Sequence, residues 1–239
     1  MEKMDAVMEA DKLIEEANKR ALKIRLIGGI AIWFATESAK KEPFKRNYKD
    51  IDLVGLKSQS GKIDKFMKDM GYIPNERYNV LHSYRSMYFN KESCRRVDYF
   101  YDFFEMCHKW DLRNRLDLSY PTLPISDLLL SKLQIVKSSE RDVLDSIALL
   151  LDYEFKGSEA NYIAELCSKQ WGLYKTVKDS LDKIKNYLIN FNIGANIKIV
   201  LERIDSLSKT IEDYPKSFSW KLRSKIGEKV KWYYEPEEV

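Results

Sequence analysis

The hydrophobic period changes partway along this chain, and that change limits the fold more than any other feature. Through about residue 110, short runs with strand spacing alternate with helical segments. Beyond "LSYPTLPIS", where Pro121 and Pro124 exclude a continuous helix, only the helical period persists.

In the first part, residues 4–22 place Val7, Leu13, Ile14, Ala17 and Leu22 near one face of a helix. "KIRLIGG" reads as a short buried strand ending in Gly28 and Gly29, and "IAIWFA" as an apolar helix after it. The charged loop "TESAKKEPFKRNYK" delivers the chain to the strand "DIDLVG". "GKIDKFMKDMGY" is a helix stopped by Gly71, and "SYRSMYFN" and "RRVDYFYDFFEM" are aromatic-rich strands. In the second part, Ser126 is the expected N-cap of "SDLLLSKLQIVKS", and Ser138 or Ser139 that of the next helix. Ile197, Leu201, Ile204, Leu207 and Ile211 form an apolar stripe. The expected class is α+β, with a small mixed-sheet head over residues 1–120. A bundle of four to six helices is expected over residues 121–239.

Composition removes several classes of function. The chain of 239 residues, 44% hydrophobic and 33% charged, can bury a real core. A net charge of +4 is too small for a chain that is basic throughout, so any nucleic-acid surface is a local patch. Cys94, Cys107 and Cys167 are odd in number and lack CxxC spacing, which argues against a disulfide framework. Cys107 and His108 lack the second ligand pair that a structural zinc site requires. No apolar run approaches the roughly 20 residues that span a bilayer. The first twenty residues are charged and amphipathic rather than signal-like. No membrane role is expected, and the expected location is cytoplasmic.

The chemistry concentrates in "RNYKDIDLVG". Strand alternation points Asp50 and Asp52 to one side of a sheet, where two like charges repel unless a cation lies between them. Mg²⁺, which prefers carboxylate oxygens, suits that position. A solvated turn acid followed by an edge-strand acid would give the same D-x-D. The context favours the metal. Gly28 and Gly29 let backbone approach a ligand, and the helix opening there offers free N–H groups and a positive dipole end to phosphate. A third acid, Asp98, lies on a later strand, where apolar Val97 and Phe100 embed it. Asp102 shares its parity but lies nearer the strand end. Three carboxylates can hold two Mg²⁺ ions that bridge phosphates and activate a hydroxyl, with Asp98 as ligand or proton acceptor.

"LIGGIAIWF", "RNYKDIDLVG" and a lone strand aspartate together resemble the nucleotidyltransferase superfamily that includes DNA polymerase β. The pattern is most similar to its abortive-infection and toxin branch, written GG…R-x-T-x-D-I-D. "PISDLLLSKLQIVKSSERDVLDSIALL" is similar to that branch's helical block, in which K-L precedes R-D-x-x-D. The resemblance covers residues 26–151. It implies a nucleotide-binding turn at Gly28 and Gly29 and metal ligation by Asp50, Asp52 and Asp98. It also implies nucleotide contact by Lys132, Arg141 and Asp145, with Asp145 positioning the lysine or the substrate. NTP is then the substrate, and an antitoxin-like partner protein is a possibility of the branch. Tyr48 departs from the pattern, standing where a small hydroxyl residue is usual, and the loop from Gly29 to Asp50 is longer than in polymerase-like members. Read without the resemblance, Lys132 is a snorkelling lysine and Arg141 with Asp145 an i,i+4 surface ion pair.

The stretch "KSFSWKLRSKIGEKVKWYYEPEEV" interleaves Lys216, Lys221, Arg223, Lys225, Lys229 and Lys231 with Trp220, Trp232, Tyr233 and Tyr234. Such a basic C-terminal helix suits RNA, whose phosphates meet the charges while bases stack on rings. It equally suits a closing helix with a solvated lysine face. The aromatic "RRVDYFYDFF" is either a stacking platform or buried strand packing. The leading expectation is a Mg²⁺-dependent nucleotidyltransferase moving an NMP from an NTP to a hydroxyl of RNA, protein or a small molecule. Its rivals are a catalytically inactive nucleotide- or partner-binding member of the fold and a helical interaction module on a scaffold head.

Overall fold

In a computed structural model, which describes residues 5–190 and 196–235, the chain divides into two compact units. The first contains residues up to Ala35, Arg46–Glu105 and Trp110–Pro124. The second contains Thr36–Lys45, Met106–Lys109 and the chain from Ile125 onward.

Five strands make the sheet of the first unit: β1 (Ile24–Ile27), β2 (Asp50–Gly55), β3 (Tyr72–Pro74), β4 (Arg85–Asn90) and β5 (Arg96–Tyr101). Their order is β1-β2-β5-β4-β3. Only β2 and β5 pair in parallel within this sheet, so the sheet is mixed. Four helices accompany it: α1 (Ala6–Lys19), α2 (Gly28–Ala35), α3 (Ser60–Asp69) and α4 (Glu76–Leu81). α1 is amphipathic and buries Val7, Ala10, Leu13, Ile14 and Ala17. It also buries Glu9, which accepts hydrogen bonds from Tyr72 Oη, Asn90 Nδ2 (2.9 Å) and Ser93 Oγ (3.3 Å) and pairs with Arg95. Those partners satisfy a carboxylate that would otherwise be costly to bury, and they tie α1 to the β3–β4 side of the sheet. The aromatic run of β5 is strand packing, since Tyr99, Phe100 and Tyr101 are all buried.

The α-helices of the second unit are α5 (Ile125–Leu133), α6 (Glu140–Asp152), α7 (Ser158–Lys169), α8 (Trp171–Asn190), α9 (Ile197–Asp213) and α10 (Phe218–Ile226). Ser139, not Ser138, caps α6, in a capping box with Asp142. Ser126 is not a cap. The helix begins one residue earlier, immediately after Pro124, and the buried Ser126 donates its backbone N–H to Glu159 of α7 (3.2 Å). On α9 the fully buried stripe is Val200, Ile204, Leu207 and Ile211, while Ile197 and Leu201 lie at its margin. The basic C-terminal stretch is not one helix. Gly227, at φ +59°, ends α10, and the chain continues through a short 3₁₀ turn into an irregular tail. All three cysteines are free, and among the described residues no helix is long and apolar enough to cross a membrane.

Candidate active site

The register of one strand pair assembles the acids. β2 runs beside β5 with Asp50 opposite Arg96 and Asp52 opposite Asp98. Directly opposed residues share a sheet face, as do residues two apart on one strand. Asp50, Asp52, Asp98 and Arg96 therefore occupy one face. On β4, Met87 stands opposite Asp98, so Arg85, two residues away, joins the same face. Asp102 does not belong to it. With φ +61° it leaves the strand, and its Oδ1 accepts the Lys57 backbone N–H at 2.9 Å.

Arg96 lies between two of the acids. Its Nη2 is 3.2 Å from Asp50 Oδ2, and its Nε is 3.0 Å from Asp98 Oδ2. The other Asp98 oxygen is 3.1 Å from Arg85 Nη2. Asp98 is 2% exposed at its side chain and Asp50 45%, so the pairing matters far more to Asp98. Asp50 and Asp98 thus have protein cations in place that offset their charge. Arg85 and Arg96 were not singled out in the sequence. The available signal was "RRVD", which puts Arg96 two residues before Asp98 on a strand.

Gly28 and Gly29 open α2 beside these acids. Antiparallel pairing sets Ile27 opposite Asp52, so the next residue begins the helix against the Asp52 carboxylate. Gly28 has φ +74°, and a Cβ there would collide with Asp52 Oδ2. At Gly29 a Cβ would stand 2.5 Å from Arg46 Nη2 and 3.1 Å from the Tyr48 ring. The Arg46 guanidinium packs on that ring, 4.6 Å from its centroid. Tyr48 thereby holds a positive charge beside the glycine turn.

Hard carboxylate oxygens on one face, beside a helix start, are the donor set a divalent cation prefers. Asp50 and Asp52 fit that role. Asp98 has both oxygens engaged by arginines, and among the described residues no three His, Cys, Asp or Glu side chains converge in a metal-holding group. Full three-carboxylate ligation would thus require Arg96 to move.

In the second unit, α5 and α6 bring together part of the second motif. Lys132 Nζ is 3.0 Å from both Asp142 Oδ1 and Asp145 Oδ2, with its side chain 11% exposed. Burial alone would lower the Lys132 pKa, but Asp145 and Asp142 outweigh it and hold the ammonium above its ordinary value. Burial pushes the Asp142 carboxyl up, and Lys132 with Ser139 bring it below the usual range. Asp145 faces Lys132 rather than forming the surface pair with Arg141, which is exposed. Spacing alone would allow either partner, since Arg141 and Asp145 are four apart; packing decides, because Asp145 is buried where Lys132 reaches it and Arg141 is exposed. His108 is buried with Nε2 2.9 Å from Thr176 Oγ1, and burial pushes its pKa down to about 4.

No family model matches the chain, and no curated protein matches it. Solved structures do. The chain is similar in fold to nucleotidyltransferases. A lincosamide antibiotic adenylyltransferase, LnuA, shares 15% identity over 62% of this chain and 98% of its own, with a TM-score of 0.44. An antigenic nucleotidyltransferase-like protein from Paracoccidioides brasiliensis shares 12% over 89% and 94%, with 0.45. JHP933 from Helicobacter pylori shares 14% over 92% and 98%, with 0.41. Likeness at this level leaves the functional reading to the carboxylates themselves.

Proposed function

We propose that the protein is a Mg²⁺-dependent nucleotidyltransferase that moves a nucleoside monophosphate from an NTP to an acceptor hydroxyl. The observation that carries the reading is the β2–β5 register, which sets Asp98 opposite Asp52 on one face with Asp50, beside the glycine turn. Asp50 and Asp52 would hold the metal. Mg²⁺, when bound, neutralises phosphate charge and acidifies the attacking hydroxyl. The N–H groups at the start of α2 and the Arg46 guanidinium bind phosphate oxygens. The acceptor oxygen bonds to the α-phosphorus and the bond to the pyrophosphate oxygen breaks; Asp98 would receive the hydroxyl proton or would hold a second ion. Either role requires Asp98 to exchange an arginine contact. For Lys132, Arg141 and Asp145 we propose the nucleotide-contact role that the family resemblance implies.

A second reading has its own support. Because Arg85 and Arg96 occupy both Asp98 oxygens, the fold could bind nucleotide without turning it over. One experiment separates the two: incubation with each labelled NTP, Mg²⁺ and total RNA or lysate, alongside Asp50→Asn and Asp52→Asn variants. Label transfer lost in both variants supports catalysis. Full transfer in either variant refutes it. Mg²⁺-dependent NTP binding without transfer leaves the inactive reading.

A further inference from the structure

The basic-aromatic C-terminal stretch is the motif that the carboxylate chemistry does not use. Within the second unit, α10 and the tail after it meet the start of α8 around a cavity of about 370 Å³, large enough for a nucleotide-sized ligand. Trp171, Trp220, Trp232 and Tyr233 supply ring surface to its wall. Lys169, Arg223 and Lys231 supply charge, and among the described residues no aspartate or glutamate lines it.

The cavity wall is held in place. Gly172 lies so close to the tail that a Cβ would collide with the Trp232 carbonyl oxygen. Trp232 donates its Nε1–H to Thr176 Oγ1 (3.3 Å), and Thr176 is in turn anchored on His108. Arg223 donates to the Gly227 and Val230 carbonyls at 2.6 and 2.7 Å, with its guanidinium 4.7 Å from the Trp171 ring centroid. The Nε1–H of Trp220, which also lines the cavity, is buried and lacks a hydrogen-bond partner. Buried donors without partners are costly, and a ligand acceptor would satisfy this one.

Flat rings, cations and an idle donor select a narrow ligand chemistry. An aliphatic ligand would strand the charges, and an acidic side chain would leave the ring faces unused. We propose that this cavity binds a nucleotide, its base stacked on the tryptophans and its phosphate on Lys169, Arg223 and Lys231. The nucleotide is either a free mononucleotide or one residue of a single-stranded RNA. Lys169 and Lys231 reach it by exchanging exposed surface pairs with Glu165 and Glu235, which are weak enough to yield to a phosphate.

The test uses the full chain in EDTA, which suppresses metal-dependent binding, with the Asp52→Asn variant as a control. Three of the five tryptophans line the cavity, so intrinsic fluorescence reports on it. AMP and a short oligoadenylate RNA are the two probes. Saturable quenching by AMP alone assigns the free mononucleotide, by the oligomer alone the RNA residue, and by both the shared chemistry; Asp52→Asn should bind as the parent does. The double variant Lys169→Gln, Lys231→Gln, both at exposed positions, should weaken binding about tenfold or more. Trp220→Phe keeps a ring but removes the donor, and should weaken binding several-fold; parental affinity in this variant would take the donor out of the site. No quenching by either probe overturns the proposal, as does parental affinity in the double-lysine variant.

Discussion

Replacing Arg96 by alanine probes the electrostatics of the acidic face directly. The guanidinium pairs with Asp98, 2% exposed, and with Asp50, 45% exposed. Breaking a buried ion pair by removing one partner costs about 3–5 kcal/mol. Arg85 still holds the other Asp98 oxygen, so about half of that, roughly 2 kcal/mol, is expected from the Asp98 side. The half-exposed Asp50 pair is screened by water and adds about 0–1 kcal/mol. For a chain of this length each kcal/mol moves Tm by about 2–4 °C, so Arg96→Ala should melt about 4–12 °C below the parent in EDTA. If a metal ion takes over the role of the guanidinium, excess MgCl₂ should raise the Tm of the variant more than that of the parent. Saturation at about a hundred times Kd contributes about 2.7 kcal/mol by mass action, enough to recover most of the loss. Thermal melts of both proteins in EDTA and in MgCl₂ provide the test. Equal Mg²⁺ shifts in parent and variant, or no destabilisation in EDTA, would refute this account of the face.

Other perturbations follow from the same geometry. Lys132→Ala leaves Asp142 and the buried Asp145 without their cation, and should cost about 3–5 kcal/mol by denaturant unfolding. If Lys132 also contacts nucleotide, the KM for NTP should rise in the surviving folded fraction; an unchanged KM assigns it to structure alone. The lowered Asp142 pKa contributes stability above its unfolded value and loses it as pH falls through the folded one. The raised Lys132 pKa contributes below about 10.4 and loses it as pH rises further. Melts of Lys132→Ala across pH should therefore be flatter at both extremes. His108 is held neutral with a pKa of about 4, so stability should fall as pH drops from about 6.5 towards that value, by up to about 3 kcal/mol. His108→Gln should remove that slope, and an unchanged slope would place the titration elsewhere. Gly28→Ala meets both a positive φ and the Asp52 carboxylate, and should lose about 1–3 kcal/mol of stability and weaken Mg²⁺-dependent NTP binding measured by calorimetry.

The alternation of helical and strand periods, the helix that opens at Gly28 and the purely helical second part could be read from the sequence, because each follows from neighbouring residues. So could the alternation that puts Asp50 and Asp52 on one strand face, and a serine cap with Asp142 three residues later. What needed tertiary structure was distant in sequence. Arg96 meets Asp50 across 46 residues, and only the parallel β2–β5 register puts them together. A one-residue slip there would turn Arg96 and Asp98 to the opposite face, and no local pattern specifies that register. The difference between Asp98 and Asp102, equal in parity, came down to a single backbone torsion that ends β5. Likewise the partner of Asp145 is Lys132, on another helix, rather than Arg141 one turn away on its own, because helix packing buries Asp145 and leaves Arg141 in water. Local sequence decided which elements form. Which charges meet was decided by the packing and register of those elements, since an ion pair depends on distance in space and not along the chain.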